Sequence, residues 1–363
     1  MKRILAAAIV TLAFPVQAAE IRVLASMEAF RFAVADARPG QVLELAPGSY
    51  LFDHDLDIRR PGAPGAPIVV RAARLGEVTL KFTTSEGFRV AAPNWSFENL
   101  VMEGVCAADG DCEHAFHLVG SASNTVIRNN RLLDFNSPIK INGEDHAYPD
   151  AGLIEGNVLL NRRARRTGNP VTAIDIVAAS RWVVRGNLVA DFAKDGGNRT
   201  SYAGFMKGGG EGGVFENNVV ACRRSVGPQA ADEARVGLSF GGGGTEERYC
   251  RDGTCRFEHR GGVMRNNIVL NCSDVGIYLN KATGTRIIDE VLYQTAGIDI
   301  RFPTSSAEVR GAVFDGRIRE RDGGRVSSHE IRAMTAADWA RFKPPYGRCP
   351  TMVDCDPHDL AKR

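Results

Sequence analysis

The chain has 363 residues, 44% of them hydrophobic, and its 45 lysines and arginines nearly balance 43 aspartates and glutamates, for a net charge of +2. Proteins that bind nucleic acid through its phosphates normally carry a clear basic excess, so this balance argues against a nucleic-acid partner. The length allows either two ordinary domains or one long array of repeats.

The N-terminal segment has the three parts of a secretory signal peptide. Basic residues precede an apolar run from Ile4 to Phe14, and small residues then place cleavage after Ala18 or Ala19. We therefore assign residues 1–19 to a signal peptide and expect a periplasmic or secreted protein. No segment has the roughly 18 uninterrupted apolar residues that a membrane span needs, so we predict none.

A short helix is the first predicted element of the mature chain. Residues 26–38 begin with a serine suited to the N-cap position. Their spacing places four apolar residues on one helical face, namely Met27, Phe30, Ala33 and Val34. We expect this helix to cap the first coil of the fold and cover its strand edges.

One short pattern then recurs: two apolar residues, two variable residues, Asn, and alternating apolar positions, as in VIRNNRLL at 126–133. The anchoring positions are Asn99, Asn130, Asn157, Asn187, Asn218, Asn267, Glu290 and Ala312, with gaps of 31, 27, 30, 31, 49, 23 and 22 residues. Parallel β-helix coils recur at this spacing, whereas β-sandwiches need turn signals about every 8–12 residues. The sequence therefore predicts an all-β fold, a single-stranded right-handed parallel β-helix.

Asparagine suits the recurring turn because it tolerates unusual backbone dihedrals and its amide both donates and accepts hydrogen bonds. We expect the stacked asparagines to form an internal ladder. The periodicity fades near residue 320. We therefore assign residues 20–320 to the β-helix and residues 321–363 to a C-terminal cap and tail.

A second short strand precedes each asparagine turn, and its alternation predicts which side chains point outward. The outward residues, here called the strip, form a first row of His117, Lys140, Asp175, Phe205, Ser239, Tyr278 and Asp299. A second row, two residues further along each strand, contains Asn142, Lys207, Asn280 and Arg301. Two outward aromatic residues suggest a ligand that packs on them, although a solvated sheet face would also be polar.

The gap of 49 residues contains an insertion from Gly241 to Gly262 that leaves directly from a strip strand. Long ordered insertions are usually functional. Glycine-rich stretches at 208–213 and 241–244 border the strip and lack the spacing of a nucleotide-binding loop. We expect these glycines to leave room for a bulky ligand.

Eight cysteines in an exported chain favour disulfides. Three pairs are close in sequence, and the remaining two cysteines follow the anchoring asparagines of adjacent coils. We predict four disulfides: Cys106–Cys112, Cys222–Cys272, Cys250–Cys255 and Cys349–Cys355. Metal binding is the alternative, but no histidine lies at a persuasive ligand spacing from a cysteine pair, and we assign no metal ligands.

Three stretches carry a family resemblance: DARPGQVLELAPGSY at 36–50, GAPGAPIVVRAARLGEVTL at 62–80 and SFENLVMEG at 96–104. They resemble the opening coils of right-handed β-helix polysaccharide lyases of the pectate-lyase-like superfamily. The nearest group is the one that contains chondroitinase B and alginate lyases. The resemblance implies an acidic polysaccharide as the partner, and we expect the protein to be a monomer.

The resemblance also implies site residues. In that family a strip lysine is the base, an arginine on the next coil assists it, and calcium neutralises the uronate. KGGGEGGVFENNVVAC at 207–222 is similar to the family's stretch that begins at this lysine, which implies Lys207. The arginine position falls near Ser239, and residues 200–202 (Thr-Ser-Tyr) stand where acidic calcium ligands are expected. The family resemblance therefore implies calcium, but the usual acidic ligands are not seen in this sequence. We leave the identity of any cofactor undecided.

Uronate β-elimination needs a base, a cation or donor for the developing aci-carboxylate, and an acid for the departing oxygen. We assign Lys207, Tyr278 and Arg301 to catalysis, with Tyr202 as an alternative acid or base. The predicted substrate-binding residues are His117, Lys140, Asp175, Phe205, Asn280, Lys281 and Asp299.

Two classes of function fit the sequence. The first is an enzyme on an acidic, uronate-containing glycan, a polysaccharide lyase or a uronate C5-epimerase. The second is a non-catalytic β-helix that binds a glycan or a cell-surface partner through the strip. Residues 356–359 (DPHD) match an epimerase motif, but that motif belongs on a central coil, and we treat the match as coincidental.

Overall fold

The computed structural model describes residues 20–224, 232–335 and 337–338, and within them the chain winds as a parallel β-helix. The predicted signal peptide, the Cys349–Cys355 pair and residues 356–359 lie outside the described residues. In the described part, three long parallel sheets run along the molecule, and each coil contributes one strand to each sheet over most of the length. The predicted all-β fold is confirmed.

The largest sheet has twelve strands in the described residues. They are Ile21–Leu24, Val42–Leu45, Ile68–Ala72, Trp95–Glu98, Val126–Arg128, Leu153–Glu155, Val183–Arg185, Val214–Glu216, Val263–Arg265, Thr285–Ile288, Ser306–Arg310 and Arg325–His329. The second sheet has eleven strands over the same part of the chain. They are Gly48–Phe52, Val78–Phe82, Val101–Gly104, Arg131–Leu133, Val158–Leu160, Leu188–Ala190, Val219–Ala221, Ile268–Leu270, Val291–Tyr293, Val313–Phe314 and Arg332–Ala333.

The third sheet carries the strip and has ten strands among the described residues. They are Leu56–Ile58, Glu86–Val90, His114–Val119, Ile139–Asn142, Val171–Val177, Thr200–Lys207, Ala234–Phe240, Ile277–Asn280, Gly297–Arg301 and Arg317–Arg321. A small parallel sheet joins Gly210–Glu211, His259–Arg260 and Ala282–Thr283. Short 3-10 helices span Asp109–Asp111 and Glu247–Tyr249.

Apolar side chains from all three sheets fill the interior of the coils. The rings of Phe88, Phe97 and Phe116 all contact one another, with centroids 5.0–5.6 Å apart. Because each coil repeats the inward positions of the last, similar side chains stack into one continuous core. No helix in the described part of the chain is long and apolar enough to cross a membrane.

The predicted asparagine ladder is present. The Nδ2 group of Asn157 donates to Oδ1 of Asn187 at 3.0 Å, and Nδ2 of Asn187 donates to Oδ1 of Asn218 at 3.0 Å. The same bond joins Asn130 to Asn157 at 3.1 Å and Asn218 to Asn267 at 2.9 Å. These side chains are fully buried, so the ladder satisfies polar groups that have no access to water.

One anchoring position was assigned wrongly. Asn99 has a φ of 62° and bonds the carbonyl of Ala72, whereas the backbone N–H of Leu100 donates to Oδ1 of Asn130. Leu100 thus occupies the ladder position, and Asn99 stacks instead on Asn129, the left-handed turn residue of the next coil. The error arose because two adjacent positions of this turn both favour asparagine.

The predicted capping helix spans Met27–Ala35. Its N-cap Ser26 accepts a hydrogen bond from the N–H of Ala29 at 3.1 Å, and Phe30 reaches Phe88 in the core. At the other end, strands of the two largest sheets continue past residue 320, to His329 and Ala333, so the coils extend beyond the predicted boundary. The sequence pattern fades there because most side chains of the last strands are exposed, while the backbone pairing persists.

Three of the predicted disulfides are present, Cys106–Cys112, Cys222–Cys272 and Cys250–Cys255. The Cys222–Cys272 bridge joins adjacent coils across 50 residues of sequence. It confirms the predicted register of the coils on either side of the insertion.

Candidate functional site

The first row of the strip is aligned as predicted. Consecutive Cα partners run from His117 to Lys140, Asp175, Phe205, Ser239, Tyr278 and Asp299. In the second row, Asn142 pairs with Val177 and Val177 with Lys207. Side chains on successive coils therefore lie one strand spacing apart, about 4.8 Å.

A cleft of about 850 Å³ opens over the first half of the strip. Six predicted strip residues line it: His117, Lys140, Asn142, Asp175, Phe205 and Lys207. The insertion forms one wall through Gly242–Glu246 and Tyr249, and residues 168–172 with 194–202 contribute to the other. The volume lies in the range of ligand-binding pockets in proteins.

Buried polar contacts hold the insertion against the coils. The guanidinium of Arg251 bonds both carboxylate oxygens of Asp150, at 2.8 Å and 3.0 Å, and lies 4.4 Å from the ring centroid of Tyr148. Glu258 accepts hydrogen bonds from the backbone N–H of Gly208 and the hydroxyl of Thr245, both at 2.8 Å. These contacts set the position of the wall relative to the strip.

His259 anchors the end of the insertion and is 1% exposed. Its Nε2 accepts a hydrogen bond from the N–H of Gly213 at 3.1 Å, and its ring stacks on Phe240 with centroids 4.4 Å apart. Burial lowers the pKa of His259 to about 3. The folded protein therefore favours the neutral ring, whose lone pair accepts the Gly213 bond.

Because burial lowers the pKa of His259, we expect the free energy of unfolding to depend on pH. The folded pKa lies below the unfolded value of about 6.5, so the stabilisation is complete above that pH and is lost as pH falls toward 3. Thermal melts from pH 7 to pH 5 should show wild type losing up to about 1.4 kcal/mol per pH unit through this group. A His259→Gln variant should have a shallower dependence, and an equal slope in the two proteins would contradict the assignment.

Lys207 lies at the junction of the strip and the insertion. Its ammonium is 4.6 Å from the ring centroid of Phe205 and donates to the carbonyl of Gly244 at 3.3 Å. Burial lowers the pKa of Lys207, while the charges of Asp175 and Glu258 act to raise it and that of Lys140 acts to lower it. No carboxylate of the described residues lies within ion-pair distance of this lysine.

Other groups that line the cleft have defined partners. Lys140 pairs with Oδ2 of Asp175 at 2.7 Å, while Oδ1 of Asp175 is buried without a hydrogen-bond partner among the described residues. Burial raises the pKa of Tyr202 to about 12, which keeps its hydroxyl a neutral donor. Lys194 donates to the carbonyl of Gly168 and the side chain of Asn198, and burial lowers its pKa.

The structure places five predicted residues outside the cleft lining. Tyr278, Asn280, Lys281, Asp299 and Arg301 lie on coils past the insertion. Asp299 pairs with Arg321 at 2.9 Å, and Arg301 pairs with Asp322 at 2.6 Å. Nδ2 of Asn280 donates to the hydroxyl of Tyr278 at 3.2 Å. Four of these side chains, all but that of Lys281, therefore have partners on their own or neighbouring coils.

The inference that the two outward aromatic residues need a ligand to pack on them was wrong. Phe205 and Tyr278 point outward from the coils, but only 5% and 9% of each is exposed. Phe205 packs on Val177 and Ala178, and Tyr278 packs on other side chains outside the coil core. A protein layer outside the sheet covers both rings, so their position does not require a ligand.

Sequence reasoning missed Lys194 and the cluster of Glu86, His114 and His117, whose ligand atoms lie within 4.8 Å of one another. Lys194 lies outside the named strands, where its backbone forms an isolated β-bridge with Arg165. No local sequence pattern indicates that its side chain lines the cleft. Glu86 and His114 are Cα partners on adjacent coils, a relation that appears only once the register is known.

Calcium does not fit the cleft. The ion takes about 6–8 oxygen ligands, with carboxylates prominent among them. Only Asp175 and Glu246 supply carboxylates to the described lining, and one oxygen of Asp175 is held by Lys140. Thr200, Ser201 and Tyr202 occupy the positions where acidic ligands were expected. We therefore derive no step through calcium.

No protein-family model and no curated protein sequence matches the chain. Among solved structures it is similar to pectate lyase Pel9A, with 14% identity, a TM-score of 0.51, and 85% of this chain and 76% of that chain covered. It is also similar to a pectin methylesterase bound to a hexasaccharide, with 11% identity, a TM-score of 0.51, and 89% and 94% covered. One neighbour is named a lyase and the other an esterase, so the likeness shows the fold and does not select a reaction.

Proposed function

We propose that this chain, which has the pectate-lyase-like right-handed parallel β-helix fold, is a polysaccharide lyase that cleaves an acidic, uronate-containing glycan by β-elimination. One observation carries the proposal. Lys207 lies in the cleft wall with no carboxylate partner among the described residues, and burial lowers its pKa. A lysine whose pKa is lowered by burial and that has no ion-pair partner is better suited to act as a general base than an ordinary surface lysine.

In the proposed reaction, neutral Nζ of Lys207 takes the proton at C5 of the uronate, α to the carboxylate. The C4–O4 bond then breaks, a C4–C5 double bond forms, and the departing oxygen needs a proton. The hydroxyl of Tyr202 is the proposed donor, because it lines the same cleft and the raised pKa keeps its proton in place. This assignment replaces Tyr278, which lies outside the lining.

The charge of the cleft supports an acidic substrate. Three lysines line it, Lys140, Lys194 and Lys207, against the carboxylates of Asp175 and Glu246. Positive groups in a partly water-excluded cleft stabilise the negative charge that develops on the uronate carboxylate. Lys140 and His117, on the two coils nearest the N-terminus among those that line the cleft, are the proposed partners of neighbouring uronates.

We also propose that the protein works as a monomer in the periplasm or outside the cell. The Cys106–Cys112, Cys222–Cys272 and Cys250–Cys255 disulfides support this location, because such bonds persist in oxidising compartments. In this proposal residues 1–19 direct export, and residues 20–333 form the working β-helix.

Incubation with a substrate panel tests the proposed reaction. The panel contains a polygalacturonate, an alginate and a glycosaminoglycan, with a neutral glucan as the control. Ultraviolet absorbance of unsaturated uronate ends should rise with at least one acidic polymer and stay flat with the glucan. No rise with any acidic polymer, together with retardation of one of them in affinity electrophoresis, would replace the lyase with a glycan-binding protein.

A further inference from the structure

We propose that Glu86, His114 and His117 form a binding site for one divalent transition-metal ion of the Zn²⁺ class. One carboxylate oxygen and two ring nitrogens lie within 4.8 Å of one another. Two imidazoles and a carboxylate are a ligand set that such ions favour, whereas calcium and magnesium prefer oxygen ligands alone. The site is independent of the proposed lyase reaction.

The backbone brings the two histidines together. The N–H groups of Ala115 and Phe116 both donate to the carbonyl of Pro138, at 3.1 Å and 2.9 Å, which departs from the regular ladder. The rings of His114 and His117, three positions apart, therefore come to a centroid distance of 5.2 Å. Such irregularities in strands often redirect side chains at functional sites.

Hydrogen bonds outside the cluster fix the tautomer of each histidine. Nδ1 of His114 faces the carbonyl of Ser137 at 2.8 Å and must donate to it, which leaves the lone pair on Nε2. Nε2 of His117 faces Oδ1 of Asn142 at 2.7 Å, and Nδ2 of that amide donates to the carbonyl of Gly143, which sets its orientation. His117 therefore donates through Nε2 and keeps Nδ1 for the cluster.

Nδ1 of His117 lies 2.9 Å from Oε1 of Glu86. A shared proton satisfies this pair, and a metal ion can take the place of that proton. Hydrogen bonds from ligand histidines to carbonyl and amide oxygens are the usual outer shell of protein metal sites. Glu86 is the more exposed member of the pair, with 28% of its side chain accessible against 16% for His117, so it can adjust to short metal bonds of about 2.0–2.1 Å.

An ion at this site changes the charge of the cleft. His117 and Asn142 line the cleft, so an ion held by His117 adds positive charge at the end of the cleft that also contains Lys140. Three protein ligands leave a coordination position for water or a ligand oxygen. This consequence for glycan binding rests on the proposed function, whereas the site itself does not.

Calorimetric titration of the chelator-treated full chain with Zn²⁺ tests the site. We expect one ion per chain in wild type and in His329→Gln, which removes an exposed histidine on the last strand of the largest sheet, many coils from the cluster. Loss of an outer-shell partner costs about 10–100-fold in affinity, so Asn142→Ala should fall in that range and Glu86→Gln or His117→Gln should lose at least as much. No saturable binding by wild type, or unchanged binding in both ligand variants, would overturn the proposal.

A second measurement uses wild type alone and so does not depend on the folding of any variant. Zn²⁺ should protect His117, but not the remote and exposed His329, from carbethoxylation by diethyl pyrocarbonate, as read by peptide mass spectrometry. Equal modification of His117 with and without Zn²⁺ would contradict the site. Neither outcome depends on turnover of any polysaccharide, so the metal site and the lyase reaction can fail separately.

Discussion

Lys207→Ala is expected to lower the rate of uronate β-elimination by about 10²–10⁴-fold, the contribution of a positioned general base. The loss should appear in kcat, because the proton is transferred only in the transition state. The melting temperature should change little, since this lysine forms no ion pair within the described residues and donates only to the carbonyl of Gly244.

Lys81→Ala is the matched control. This lysine is exposed on strand Val78–Phe82 of the second sheet, away from the cleft lining. Both variants are assayed on the polymer that gives the largest absorbance change with wild type. Full activity in Lys207→Ala would exclude it as the base, and an equal loss in Lys81→Ala would show that the assay reports something other than the cleft.

Asn187→Ala should markedly lower the free energy of unfolding. Oδ1 of Asn187 accepts bonds from the backbone N–H and the Nδ2 group of Asn157, and its own Nδ2 donates to the carbonyl of Ile154. The substitution leaves the N–H of Asn157 buried without a partner and removes the side-chain bond to the carbonyl of Ile154. Each unsatisfied group costs about 1–3 kcal/mol, which chemical denaturation can measure as a loss in the free energy of unfolding.

Asn217→Gly separates the ladder from the turn beside it. Asn217 is exposed, has a φ of 55°, and immediately precedes the ladder residue Asn218. Glycine adopts this backbone conformation without strain, so the variant should unfold within about 1 kcal/mol of wild type. If Asn187→Ala were as stable as Asn217→Gly, the buried amide bonds would contribute nothing measurable, and the ladder would not explain the stability of the coils.

The fold could be predicted because its pattern is local and repeated. Each coil carries its own copy of the turn signal and of the inward apolar positions, so errors in one copy, such as Asn99, do not disturb the others. The alignment of the first strip row followed from the two-residue alternation of strands. The Cys222–Cys272 bridge was predictable for the same reason, since both residues follow ladder asparagines.

The site could be predicted only in part, because a row of stacked residues does not show where a cleft begins or ends. Asp299 and Arg301 occupy the same rows as Asp175 and Lys207, yet only Asp175 and Lys207 line the cleft. The covering of Phe205 depends on contacts between coils that the sequence does not reveal. The pairing of Glu86 with His114 likewise needs the register between two coils.

The insertion shows that loop length and the packing of the coils are independent in this fold. Asn218 and Asn267 are 49 residues apart, yet they form the same hydrogen bond as Asn187 and Asn218, which are 31 apart. The hydrogen bonding between coils is therefore the same whether or not an insertion leaves the stack between two strands. Loops over the strip can lengthen, shorten or be exchanged while the scaffold keeps its stability. In this architecture, changes in such loops can alter ligand preference while the hydrophobic core stays the same.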